Sequence, residues 1–193
     1  MEPPTGADCI IIVSGLPRSG TSLVMQMLAA GGVPPLTDQK RGPDENNPRG
    51  YFEYEAVKQL QSGAPWLDEA RGHAVKIIHL LLRHLPLSGH DYRVILVQRA
   101  LAEVLASQRA MLARAGKVAA ADAALEQMFS KQLAAAEQWL SEHKIPYIVV
   151  QHRQLLNEPR AVADEIAKFL GRDLDLDAMC AAVDPLLYRE RLT

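Results

Sequence analysis

Apolar residues gather along the chain in four short runs rich in β-branched side chains: CIIIVS (9–14), AVKIIH (74–79), RVILVQ (93–98) and PYIVVQ (146–151). None alternates between apolar and polar positions, as a strand with one wet face does. Near-continuous apolar character marks strands covered on both faces, the usual state inside a parallel sheet. Between the runs the apolar spacing becomes helical, over Leu23 to Ala30, Leu101 to Ala115, Ala120 to His143 and Ala161 to Leu170. The last of these, AVADEIAKFL, is amphipathic and stops at Gly171, a residue suited to the left-handed turn that ends a helix. Strands alternating with helices predict α/β architecture: one three-layer α/β/α domain over residues 1–193 around a central, mainly parallel sheet.

One stretch breaks both periodicities. Residues 34–50, PPLTDQKRGPDENNPRG, are dense in Pro, Gly, Asn and Asp. The segment is long for an ordinary connection, and it follows the helix expected after the glycine-rich turn described below. It is therefore predicted to be an active-site loop that folds over a ligand.

Composition narrows the function classes. A chain of 193 residues supports one sizeable core. A net charge of −2 gives no general attraction to nucleic acid or to anionic membranes, so any anion site must be local. No apolar run approaches the roughly 18 residues needed to span a bilayer, and MEPPTGAD at the start lacks the pattern of a secretory leader. The two cysteines, Cys9 and Cys180, make no disulfide framework, and no Cys/His cluster has zinc spacing. The expectation is a cytoplasmic protein without a structural metal.

The candidate chemistry starts at SGLPRSGTS, residues 14–22, directly after the first apolar run. A glycine-rich turn between a buried strand and a helix aims several backbone N–H groups at one spot, beside the positive end of the helix dipole. Gly15 and Gly20 permit the tight path, Pro17 stiffens it, and Ser19, Thr21 and Ser22 add hydroxyls. Arg18 brings a fixed charge with forked donors. The spacing is nearly that of the nucleotide phosphate loop, but Thr21 stands where that loop has its lysine. The other strands end in IIH, VQR and VQH, without an acidic residue to help hold Mg²⁺. Metal-dependent phosphoryl transfer is therefore disfavoured, and a kinase with a divergent loop is the weaker alternative. A second pair is Arg99, closing the third strand where ligands bind in open α/β sheets, and Ser107, eight residues later in the following helix.

These motifs resemble those of the PAPS-dependent sulfotransferases, whose fold is like that of the P-loop NTPases. GLPRSGTS is similar to their 5′-phosphosulfate loop, and Arg99 with Ser107 reproduces the spacing of their 3′-phosphate pair. QHRQLLNEPRAVADEIAKFLG (151–171) is similar to their late strand–loop–helix segment, and DENNPRGYFEYEAV (44–57) resembles a N-P-x-G-Y-x-E stretch of a bacterial branch. The likeness runs from about residue 9 to 172. It implies a donor, PAPS, bound through Arg18, Ser19, Gly20, Thr21, Ser22, Arg99 and Ser107, and transfer of its sulfuryl group, without a metal, to an acceptor hydroxyl or amine. PAP is left behind. A nucleotide-binding protein of the same fold without activity is the other reading.

The resemblance also implies catalytic roles. Glu53 matches the glutamate of the N-P-x-G-Y-x-E stretch and is the first choice for the base, with Glu55, Glu45 and His79 as alternatives. Lys76 matches a strand lysine that stabilises charge; the histidine position two residues on is Ile78 here, so in a continuing strand His79 would face away from the site. The sequence departs from the family pattern in three places. Ala100 stands where an acid commonly follows the strand-end arginine, and His152, Arg153 and Gln154 replace a Y-E-D triplet. Arg189 and Arg191 are the nearest substitutes for a late basic loop. Tyr51, Phe52, Tyr54 and Trp66 are candidate acceptor-lining residues. The acceptor itself and the oligomeric state are not legible.

Overall fold

The structure, a computed structural model, describes residues 8–38, 40, 42, 50–114, 116 and 122–184. Four parallel strands form its sheet: β1 (Ile10–Gly15), β2 (Ala74–Lys76), β3 (Tyr92–Gln98) and β4 (Tyr147–Gln151), in the spatial order β2-β1-β3-β4. In register, Val13 lies beside Lys76, Gly15 beside Val97, and Gln98 beside Gln151. The helices are α1 (Thr21–Ala30), α2 (Leu101–Arg114), α3 (Asp122–Glu142), α4 (His152–Asn157), α5 (Pro159–Leu170) and α6 (Leu176–Ala181). Three 3-10 segments, Glu55–Ser62, Pro65–Leu67 and His79–His84, flank β2 in sequence.

The strand order locates the ligand crevice before any side chain is considered. The chain leaves β1 through α1 to reach β2 on one side, and leaves β3 through α2 and α3 to reach β4 on the other. Right-handed crossovers in opposite directions put those helices on opposite faces of the sheet. The carboxyl ends of β1 and β3 are thus the point where the connections diverge, the usual ligand crevice of such sheets.

The two cores follow from the pleat. Ile11, Val13, Ile95 and Val97 point to a face covered by Val24, Met25 and Leu28 of α1, Val162 and Ile166 of α5, and Met179 of α6. Ile10, Ile12, Val75 and Val94 point the other way, under Leu60, Trp66 and Leu82 of the 3-10 segments and Ala136 and Leu140 of α3. Both faces are buried, which is why these strands read as continuous apolar runs. A smaller cluster joins Leu16 to Val104 and Leu105 of α2 and Phe129 of α3.

Most expected elements appear within two residues of their expected bounds. The helix AVADEIAKFL gains Pro159 and Arg160 at its start and ends at Gly171 with φ 64°. The second run differs: it was expected as a strand over 74–79, but only Ala74–Lys76 pair with β1. β2 is the edge strand, bridged at Ala74 to Pro35 on its outer side, and its neighbour β1 turns into the glycine loop, so the ladder ends after Ile77 N donates to Val13 O. The chain then coils so that Ile77 and Leu82 cover the core.

Candidate functional site

The crevice is built first by the loop between β1 and α1. A Cβ on Gly15 would lie 2.5 Å from the Val97 carbonyl oxygen, because β3 runs directly alongside. Gly20, at φ 103°, starts α1 without any side-chain cap, so the first helix amides are left for an outside partner. Arg18 adopts φ 71°, a left-handed conformation rare for a residue with a side chain, and such residues concentrate at functional sites. Ser19 lies deeper than expected. Its N–H donates to Leu16 O, and its hydroxyl is tucked under the loop with no hydrogen-bond partner among the described residues. Thr21 is also buried, whereas Ser22 is partly exposed at the start of α1.

Arg18, Arg99 and Ser107 come together across 89 positions of sequence. Arg18 Nε donates to Ser107 Oγ at 3.0 Å, and Arg99 Nη1 donates to the Arg18 carbonyl at 3.3 Å. Arg99 is also paired through its Nε with Glu103 Oε2 at 2.9 Å, the two side chains only 8% and 13% exposed. Glu103 is the acid that the sequence reading missed when it found Ala100 after Arg99. It lies four residues on along the helix, and the i, i+4 neighbour rule is the signal that would have found it.

Lys76 links a second set. The register of β2 with Val13 turns it to the face carrying α1. There Nζ donates to Ser22 Oγ at 3.1 Å and to the Tyr51 carbonyl at 2.8 Å, and lies 5.9 Å from the centre of the Tyr51 ring. Two residues beyond Tyr51, the Glu53 backbone closes the neck of the long loop. Its carbonyl accepts from Thr37 Oγ1 at 2.8 Å, while Glu55 N donates to Asp38 Oδ2 at 2.9 Å. Glu53 therefore stands at the neck, next to Phe52 with φ 52°. Glu55 is exposed and paired with Lys58 at 2.8 Å. Glu45, most of the loop tip, and Arg189 and Arg191 lie outside the described residues.

Two histidines sit beneath the crevice. His79 begins a 3-10 helix after β2 ends, so the simple alternation of a strand does not govern where it points. Both its ring nitrogens face protein atoms: Nδ1 lies 3.2 Å from Gly15 O and Nε2 2.9 Å from Gln132 Oε1. His152, which stands at the first position of the Y-E-D triplet, packs against the loop instead. A Cβ on Gly20 would meet its Cδ2 at 2.5 Å. Burial, and then the nearby Arg99 charge, push its pKa down to about 4, so the ring is neutral at pH 7.

Of the aromatic residues expected to line an acceptor pocket, Trp66 is buried in the core and stacked edge-on against Tyr54, with ring centroids 5.7 Å apart. Tyr51 is buried too, but beside Lys76. Among the described residues, no group of three or more His, Cys, Asp or Glu is arranged to hold a metal, and no helix is long and apolar enough to cross a membrane.

Comparison with known proteins agrees with the fold. The family model of the sulfotransferase domain matches residues 8–188. The sulfotransferase domain of the Synechococcus PCC 7002 olefin synthase is similar in structure, with a TM-score of 0.58 and 18% identity over 95% of this chain and 80% of that one. The sulfotransferase domain from the curacin biosynthetic pathway gives 0.55 and 14% identity, over 92% and 78% of the two chains. At such identities the two structures speak for the fold. No curated protein sequence matches this one. With nearly the whole chain matched by the family model, the protein belongs to the sulfotransferase domain family.

Proposed function

We propose that the protein transfers a sulfuryl group from 3′-phosphoadenosine 5′-phosphosulfate (PAPS) to an acceptor hydroxyl or amine, releasing PAP. The observation that carries this reading is the Arg18–Ser107 hydrogen bond, which brings the anion loop and the Arg99/Ser107 pair into one crevice. A donor with phosphates at both its 5′ and 3′ ends suits two adjacent anion subsites; ATP would leave the second empty. Ser107 accepts from Arg18 and keeps its own O–H to donate to a phosphate. Ser19, with its hydroxyl turned under the loop, contributes to loop shape and backbone donors more than through its side chain.

In the proposed reaction the acceptor oxygen or nitrogen attacks sulfur, and the S–O bond to the 5′-phosphate breaks. The leaving phosphate gains charge beside the first amides of α1 and Arg18, donors already in place before the charge develops. Lys76, on Ser22, adds a second cation at the same end of the loop. Glu53 takes the acceptor proton. The sulfuryl group carries less charge than a terminal phosphoryl group, and two arginines and a lysine fit a donor handled without Mg²⁺.

Thermal denaturation with PAP, ATP and ATP/Mg²⁺ tests the donor. A ligand at 100 times its Kd stabilises the folded state by about 2.7 kcal/mol. PAP is expected to raise the melting temperature strongly and ATP/Mg²⁺ weakly; the opposite ranking would end the sulfotransferase reading.

A further inference from the structure

His79 is 5% exposed and bridges two elements, with Nδ1 3.2 Å from Gly15 O and Nε2 2.9 Å from the Gln132 carboxamide of α3. A backbone carbonyl can only accept, so Nδ1 must carry a proton whichever end of the carboxamide faces Nε2. No ring nitrogen is left to take a proton from an acceptor. We propose that His79 is a positioning residue for the anion loop. It holds the Gly15 carbonyl at the point where the loop leaves β1.

Three features support this role. Gly15 is the last residue of β1, where the loop begins; its φ of 155° is one that residues with side chains rarely adopt, and a Cβ there would lie 2.5 Å from the Val97 carbonyl oxygen. The register of Gly15 with Val97 sets the Leu16 N–H on the β3 side and the Gly15 carbonyl on the β2 side, where β2 has already ended and His79 meets it. In a trans peptide the N–H and C=O point in opposite directions, so fixing one fixes the other. Lastly, α3 supports this point from two positions: Gln132 meets His79, and Phe129, one turn earlier, packs in one cluster with the buried Leu16 side chain. The opening of the loop is thus referenced to α3 as well as to the strand it leaves.

The test has three arms, and only the last rests on the donor reading above. In ¹⁵N NMR of the ligand-free wild-type protein, the His79 ring is expected to show a protonated Nδ1; an unprotonated Nδ1 would overturn the proposal. His79→Leu removes the donor, whereas His79→Asn returns an N–H near the Nδ1 position. The Leu16 amide resonance should move in the first variant and return toward its original place in the second. A resonance unmoved by His79→Leu counts against the tether. PAP affinity should fall roughly tenfold in His79→Leu and recover to within about threefold in His79→Asn. Equal affinity for wild type and His79→Leu overturns the positioning role. Wild-type protein that fails to bind PAP while the two NMR arms hold would remove the donor reading and leave the tether standing.

Discussion

Arg18 Nε donates to Ser107 Oγ at 3.0 Å, so the loop after β1 and the helix after β3 are hydrogen-bonded at the heart of the crevice. If this contact joins two halves of a donor site, Ser107→Ala weakens PAP binding by about ten- to a hundredfold, the usual cost of losing a hydrogen bond to a charged group. Arg18→Ala and Arg99→Ala each remove most of the thermal stabilisation by PAP. Calorimetric titration measures all three, and unchanged affinities would detach these residues from donor binding.

Glu103 neutralises Arg99 where both are largely buried. Glu103→Ala leaves that guanidinium without its counter-charge and is expected to cost about 2 kcal/mol of folding stability, below the 3–5 kcal/mol of a fully buried pair. Urea denaturation measures the loss. A saturating concentration of PAP should raise the melting temperature of the variant more than that of the wild type, because a 3′-phosphate supplies the missing negative charge. Equal gains would mean that no phosphate lies near Arg99.

His152 gives the fold an acid-side weakness. Its pKa is near 4 in the folded protein and about 6.5 when unfolded. Between those values the unfolded chain binds more protons, so stability is fully present above pH 6.5 and is lost as the pH falls toward 4. The loss amounts to roughly 3 kcal/mol. His152→Gln removes this component, and the slope of stability between pH 6.5 and 4 should become shallower. An identical slope in the variant would show that His152 does not titrate in this way.

Glu53 and Lys76 are separable by kinetics. Glu53→Gln keeps the shape of the loop neck, which the Glu53 carbonyl secures. It should leave PAP affinity within about threefold while lowering kcat by two or more orders of magnitude. Lys76→Met lowers kcat by about a hundredfold. It also loosens the Tyr51 segment, whose carbonyl Lys76 holds at 2.8 Å, so KM for the acceptor rises as well. A Glu53→Gln enzyme with full turnover would move the base role elsewhere.

The chain announces its architecture because its determinants are local. β-branched runs such as IIIV in β1 are covered on both faces, and Gly171 ends α5 where a left-handed residue is needed. The loop from Gly15 to Ser22 is equally local: two glycines, a helix start and Arg18 lie close together in sequence, so a candidate anion loop was legible before any fold was known. The pairing of Arg99 with Ser107 came from the resemblance to a known family, because a spacing of eight residues does not by itself bring two side chains to one site.

What joins these local pieces depends on contacts distant in sequence, and no local pattern encodes those. That Arg18 meets Ser107 follows from β1 and β3 being neighbours at the divergence of the sheet. That His79 faces inward follows from β2 running out of ladder partners after three residues, a property of its edge position and not of AVKIIH. His152 lies against Gly20 because β4 ends close to the loop, and burial there, with Arg99 beside it, makes its imidazole neutral. Residue identity and spacing determined the elements and the chemistry available; strand order and the lengths of the paired ladders decided which side chains share the crevice.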